Sequence, residues 1–107
     1  MEIQASELKA RLDAGESLTL LDCREDFENA HCRIEPSVWI PMNTIPAELQ
    51  RVEALADEKL LVVYCHHGVR SLNVAAWLRR QGVKNVVSLS GGIDRWSLEI
   101  DPAVPRY

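Results

Sequence analysis

The chain of 107 residues is 47% apolar and 26% charged, the profile of an ordinary globular protein with material for one domain and one core, residues 1–107. Its net charge of −4 argues against a nucleic-acid or anionic-membrane partner, which needs a basic face, and leaves small anions open as substrates. No run approaches the ~18 consecutive apolar residues of a membrane span, and Met1-Glu2-Ile3-Gln4 lacks the basic and then apolar regions of an export signal, so the expected compartment is the cytoplasm.

Short strand-like and helical stretches alternate along the chain. Ser6 can cap a helix through Leu8 and Leu12 that ends at Gly15. Residues 18–21 read as a strand, broken by the polar Asp22-Cys23-Arg24-Glu25-Asp26, and a short helical turn follows around residues 27–30. Val38-Trp39-Ile40 is a short strand ending at Pro41, and Pro46 suits the first turn of a helix in which Ile45, Leu49, Val52 and Leu55 recur at spacings of three and four. Leu60-Leu61-Val62-Val63-Tyr64 is continuously apolar and rich in β-branched residues, which fits a strand covered on both faces. Residues 73–81 look helical up to Gly82, Val86-Val87-Ser88-Leu89 is a further strand, and Ser90-Gly91-Gly92 turns into a last helix containing Ile93 and Trp96. The alternation predicts an α/β domain with a mainly parallel sheet and helices on both faces.

The chemistry concentrates in Val62-Val63-Tyr64-Cys65-His66-His67-Gly68-Val69-Arg70-Ser71-Leu72, where a buried strand ends on a cysteine just ahead of a helix. In open α/β sheets ligands sit beyond the carboxyl ends of the strands, and Cys65 stands there. A helix N-terminus offers unpaired N–H donors and about half a positive charge, so the amides of residues 66–71 can curl around a sulfur. Gly68 permits a backbone conformation that a Cβ opposes, and Arg70 adds a planar cation suited to an oxyanion. Each feature favours a thiolate, which makes Cys65 the expected nucleophile in place of an inert buried thiol.

Several of the remaining candidates carry two readings. Cys23, Cys32 and Cys65 are odd in number, which rules out a complete disulfide framework and leaves free thiols. Cys32 reads as packing. Cys23, placed after a strand whose end lies near the active face, is either a small buried residue or a resolving thiol for Cys65. His66 and His67 either exchange protons and attract anions or point outward while their amides act. Asp22 and Arg24 read as an ion pair ordering the loop after the strand, with Arg24 also able to add its field to the pocket; Trp77 and Trp96 read as core. Adjacent Cys-His-His lacks the spaced pairs of a structural zinc site, so no metal is assigned.

The Cys65–Ser71 segment resembles the active-site loop of the rhodanese family and the helix start that follows it. Asp22-Cys23-Arg24-Glu25 is similar to the family's Asp-x-Arg-Glu signature, Cys32-Arg33-Ile34-Glu35-Pro36-Ser37-Val38-Trp39-Ile40-Pro41 resembles its GHIPGAxxIP segment, and Leu89-Ser90-Gly91-Gly92-Ile93-Asp94-Arg95-Trp96 resembles its xGGxxxW close. These segments span most of the chain in the family's order, and Asp101-Pro102-Ala103-Val104-Pro105-Arg106-Tyr107 resembles the ending of small stand-alone bacterial members and of modules fused to adenylyltransferases. Arg33 stands where the family often has His, and Glu35-Pro36 replaces Pro-Gly, which predicts a local change in that turn. Trp39, bulkier than usual, suits either the pocket mouth or packing.

The resemblance implies a three-layer domain with a five-stranded, mainly parallel sheet. It implies a sulfurtransferase, of the thiosulfate type, in which Cys65 takes sulfane sulfur from thiosulfate or a persulfide and passes it to a thiol or cyanide. Arg70 would hold the donor's oxyanion, and the backbone of His66, His67, Gly68, Val69 and Ser71 would bind the sulfur. No cofactor is implied. The partners implied are a small sulfur donor, a thiol acceptor and, for a relay module, a sulfur-accepting protein. A cysteine phosphatase or arsenate reductase on the same fold places five residues between Cys and Arg; here four intervene, a loop better matched to one sulfur than to a tetrahedral oxyanion.

Overall fold

Five strands line up in parallel in the computed structural model, which describes residues 1–107. They are β1 (Glu2–Ile3), β2 (Leu18–Asp22), β3 (Val38–Trp39), β4 (Leu60–Tyr64) and β5 (Val86–Leu89), in the order β1-β5-β4-β2-β3. Five α-helices accompany them: α1 (Ala5–Asp13), α2 (Asp26–His31), α3 (Leu49–Leu55), α4 (Val69–Arg80) and α5 (Gly92–Glu99).

The central strand β4 explains the layers. Leu61, Val63 and Cys65 point into a core shared with Val52 of α3 and with Val74, Ala75 and Leu78 of α4. Val62 and Tyr64 point the other way, into a core shared with Ala5 and Leu8 of α1 and with Ile93 and Trp96 of α5. The unbroken apolar run is thus covered on both faces, and each fully buried Val or Leu contributes about 1.5–3 kcal/mol.

The topology positions the site. After β4 the chain crosses through α4 to β5 on one side; after β2 it passes to β3 on the other. Such a reversal opens a crevice at the carboxyl ends of the two neighbouring strands. Asp22 is in register with Tyr64, so the loops that begin at Cys23 and at Cys65 leave the sheet side by side.

Four local expectations are revised. The edge strand β1 was not anticipated, because two residues carry no periodicity; it is held by Ser88 N–H donating to Met1 C=O and Ser90 N–H to Ile3 C=O. α1 starts at Ala5 with the extended Gln4 as its N-cap, which puts Ser6 inside the first turn. Pro46 opens a short 3-10 turn (Pro46–Glu48), preceded by another at Met42–Thr44, and the α-helix begins only at Leu49. α4 begins four residues ahead of Asn73, because Gly68 adopts φ +100° as its N-cap and turns the chain directly from the loop into the helix. No helix is long and apolar enough to cross a membrane.

Candidate active site

Cys65 follows the last residue of β4, and its Sγ faces the first turn of α4. The backbone N–H groups of Gly68 and Ser71 donate to Sγ over 3.1 and 3.3 Å, and Ser71 Oγ lies 3.4 Å away. Ser71 Oγ is in turn 2.7 Å from Ser88 Oγ on β5. The sulfur therefore sits among helix-start donors, where negative charge is favoured, at the base of a loop that leaves Cys65 only 1% exposed. Of the loop amides, those of Gly68 and Ser71 reach the sulfur in this geometry.

The loop is held from behind by α5. Ile93 N–H donates to Cys65 C=O over 2.9 Å and Asp94 N–H to His66 C=O over 3.1 Å, so the N-terminal amides of α5 satisfy two carbonyls of the Cys65 loop. This close approach explains the second glycine of Gly91-Gly92. Gly92 has φ +62°, and a Cβ there would strike the Cys65 and His66 carbonyl oxygens.

A second assembly joins the loop to the neighbouring strand. Arg70 Nη1 and Nη2 donate to the two carboxylate oxygens of Glu28 over 2.7 and 2.8 Å. Glu28 Oε1 also accepts the Glu25 N–H over 3.1 Å, closing a capping box at the start of α2. Glu28 Oε2 accepts the Tyr107 hydroxyl proton over 2.6 Å, and the same hydroxyl accepts Arg24 Nη1–H over 2.9 Å. Arg24 is fully buried and donates from Nε and Nη2 to both oxygens of Asp22 over 2.8 Å. It also donates to Cys32 C=O. An unbroken chain thus runs Asp22–Arg24–Tyr107–Glu28–Arg70.

The ionisation states follow from these partners. The Arg70 hydrogen bonds, against some opposition from burial and with help from Tyr107, bring the Glu28 carboxyl down from 4.5 to about 2, and the same pair pushes Arg70 above its ordinary value. Burial disfavours the Arg24 charge, but the Asp22 and Tyr107 hydrogen bonds outweigh it and leave Arg24 above its ordinary value as well. Burial, and then the hydrogen bond to Glu28, raises Tyr107, which stays protonated as a donor.

The histidines gather on the same residue. The His66 ring stacks between Tyr107, with centroids 3.8 Å apart, and His67, at 3.9 Å, while His31 meets the Tyr107 ring edge-on at 5.7 Å. Burial, then the neighbouring His67, lowers His66, which favours the neutral ring; its Nε2 is buried without a partner. His67 is exposed, with Nδ1 3.9 Å from Asp94. Val69 is 69% exposed at the loop's outer edge. Trp39 donates its indole N–H to Arg24 C=O over 2.9 Å and remains partly exposed, and Arg33 pairs with Glu35 in the altered turn.

Cys23 donates its thiol to Tyr64 C=O over 3.4 Å, and burial, followed by the nearby Cys65 and Asp22 charges, raises it well above a normal thiol. That environment keeps Cys23 protonated and a poor nucleophile. Cys32 is buried beside Arg24, in keeping with packing.

Glu28, Ser88 and Tyr107 escaped the sequence reading. Ser88 had a signal, as the one hydroxyl in the apolar run 86–89. Glu28 had a weaker one, since Glu25-x-x-Glu28 resembles a capping box. Tyr107 stood only within the ending that resembles stand-alone members, and nothing local tied it to the site, because its partners lie 79 and 83 positions away in the chain.

Residues 4–99 match the family model described as "Rhodanese-like domain". YtwF of Bacillus subtilis, which carries "sulfurtransferase" in its name, is 40% identical over 101 residues that cover 94% of each chain. The maize adenylyltransferase and sulfurtransferase MOCS3-2 is 33% identical over 109 residues, 98% of this chain and 23% of that protein. Among solved structures, a rhodanese-related protein from Thermoplasma volcanium superposes with a TM-score of 0.81 at 32% identity, covering 99% of this chain and 98% of that one.

Proposed function

The chain belongs to the rhodanese family, and on that premise we propose that it moves sulfane sulfur from thiosulfate or a persulfide donor to a thiol or to cyanide through a persulfide on Cys65. The Cys65 thiolate attacks the donor's outer sulfur. The bond to the inner sulfur breaks, and sulfite or a thiolate leaves with the electron pair. The acceptor then attacks the outer sulfur of Cys65–S–SH, and the Cys65 thiolate is restored. Splitting one transfer into two displacements in this way is covalent catalysis.

The observation that carries this reading is the pair of amides, Gly68 N–H and Ser71 N–H, aimed at one sulfur at the start of α4. They favour anionic charge on Cys65 before the transfer and on its persulfide afterwards. Ser71 Oγ, which accepts the Cys65 thiol and is backed by Ser88 Oγ, can turn its own O–H to the sulfur once Cys65 is ionised. Depth supports the choice of sulfur: a nucleophile 1% exposed suits a slender terminal atom better than a tetrahedral phosphate. His66, His67 and Val69 form the loop's outer turn, and Asp22, Arg24 and Arg70 tie it to the sheet. Cys23 acts as packing under the loop.

A delivery role to a partner protein is a second reading, favoured by the maize relative, in which a similar segment forms part of a larger adenylyltransferase and sulfurtransferase. Initial-rate kinetics test the main reading. With thiosulfate and a small thiol as the varied substrates, and no partner protein, double-reciprocal plots give parallel lines and Cys65→Ser is inactive. Intersecting lines, or turnover retained by Cys65→Ser, would contradict it.

A further inference from the structure

Three guanidiniums around the loop are spoken for. Arg70 turns its fork onto both oxygens of Glu28, Arg24 onto both oxygens of Asp22, and Arg106 onto Asp94 with Nε–Oδ1 at 2.9 Å. Asp94 also faces His67. The Glu28 carboxylate, like that of Asp22, is held by four hydrogen bonds. It receives two N–H bonds from Arg70, one from the Glu25 backbone and one O–H bond from Tyr107, and its side chain is 5% exposed while that of Arg70 is 31% exposed. Two amides therefore await one sulfur, and Arg70, the guanidinium on the loop itself, is already matched to a carboxylate.

From this geometry we propose that Glu28, latched by the Tyr107 hydroxyl, is a specificity-determining residue that withdraws Arg70 from donor oxyanions and so selects hydropersulfide donors, R–S–SH, over thiosulfate. The proposal rests on sulfur loading at Cys65 and adds which donor loads it. A thiosulfate dianion brings a sulfonate to the loop mouth, where the Glu28 charge cancels much of what Arg70 could offer. A hydropersulfide brings only its terminal sulfur: Cys65–S⁻ + R–S–SH gives Cys65–S–SH + R–S⁻. One S–S bond breaks, one forms, and a single negative charge passes to the departing thiolate. The two amides suffice for that exchange.

The test is the second-order rate of sulfur loading, followed by intact mass, from thiosulfate and from the hydropersulfide of N-acetylcysteine methyl ester, whose carrier has no net charge. In Glu28→Gln, which keeps the shape and the capping acceptor, the ratio of thiosulfate to hydropersulfide rates rises about tenfold or more, the worth of one freed charge-assisted contact. Replacing Arg70 as well, in Glu28→Gln/Arg70→Ala, returns the ratio to the wild-type range. Tyr107→Phe, which unlatches Glu28 without altering its charge, moves the ratio the same way by about two- to threefold, and decides the matter if Glu28→Gln fails to fold. A ratio within twofold of wild type in every folded variant, or a rise that survives loss of Arg70, overturns the assignment while leaving sulfur transfer intact. Loading of the wild type by neither donor overturns both.

Discussion

Two assemblies meet at the Cys65 loop, and they are built in opposite ways. The cradle around Sγ is made of backbone: helix-start amides from Gly68 and Ser71, braced by α5 amides on the Cys65 and His66 carbonyls. The clasp beside it is made of side chains that the fold collects from β2, α2, α4 and the segment at Tyr107. A cradle of amides tolerates many side chains but no change in backbone path. A clasp of ion pairs tolerates small backbone shifts but no loss of a charge. On the proposed reading, the first carries the sulfur chemistry and the second the choice of donor.

The sharpest way to break the comparison is at Gly92. Gly92→Ala drives a Cβ into the carbonyl oxygens of Cys65 and His66 at φ +62°. Its expected cost is about 3 kcal/mol or more of stability, with sulfur transfer down roughly a hundredfold as the amides lose their aim. Gly82→Ala is the control: φ is +95° but nothing lies within 4 Å of the added Cβ. It costs only the left-handed strain of about 1–2 kcal/mol and leaves transfer near normal. Urea unfolding and turnover measured on both variants check this; equal effects in the two would mean that α5 does not brace the loop.

A smaller effect separates the clasp from the cradle by pH. Glu28 is held at about 2 in the folded protein against an ordinary 4.5. A depressed carboxyl adds stability above the unfolded value and loses it as pH falls through the interval between the two. Between about pH 5.5 and 3, the wild type should therefore lose roughly 1–2 kcal/mol that Glu28→Gln does not, the figure reduced because Arg70 is part-exposed and solvent-screened. Parallel acid titrations of stability for the two proteins would show the Glu28–Arg70 pair to be inert.

The cradle was largely legible in the sequence and the clasp was not. β4 and β5 stand where continuous β-branched runs put them, and Cys65-x-x-Gly68-x-Arg70 announces a strand turning into a helix N-terminus, all from neighbours in the chain. Arg70 was legible as a cation but not as a paired one, since Glu28 is 42 positions away. The hydroxyl that joins Arg24 to Glu28 comes from Tyr107, and no local pattern ties those three together. Gly92 lay between these extremes. Its place in Gly91-Gly92 was evident, but the requirement for no Cβ came from two carbonyls contributed by another loop.

Intact mass after incubation with the hydropersulfide and, separately, with thiosulfate tests the central claim most directly. Wild-type protein gains one sulfur, about 32 Da, that a reductant removes, and Cys65→Ser gains none. A gain that persists in Cys65→Ser, or no gain in the wild type with either donor, would contradict the assignment of Cys65 as the sulfur carrier.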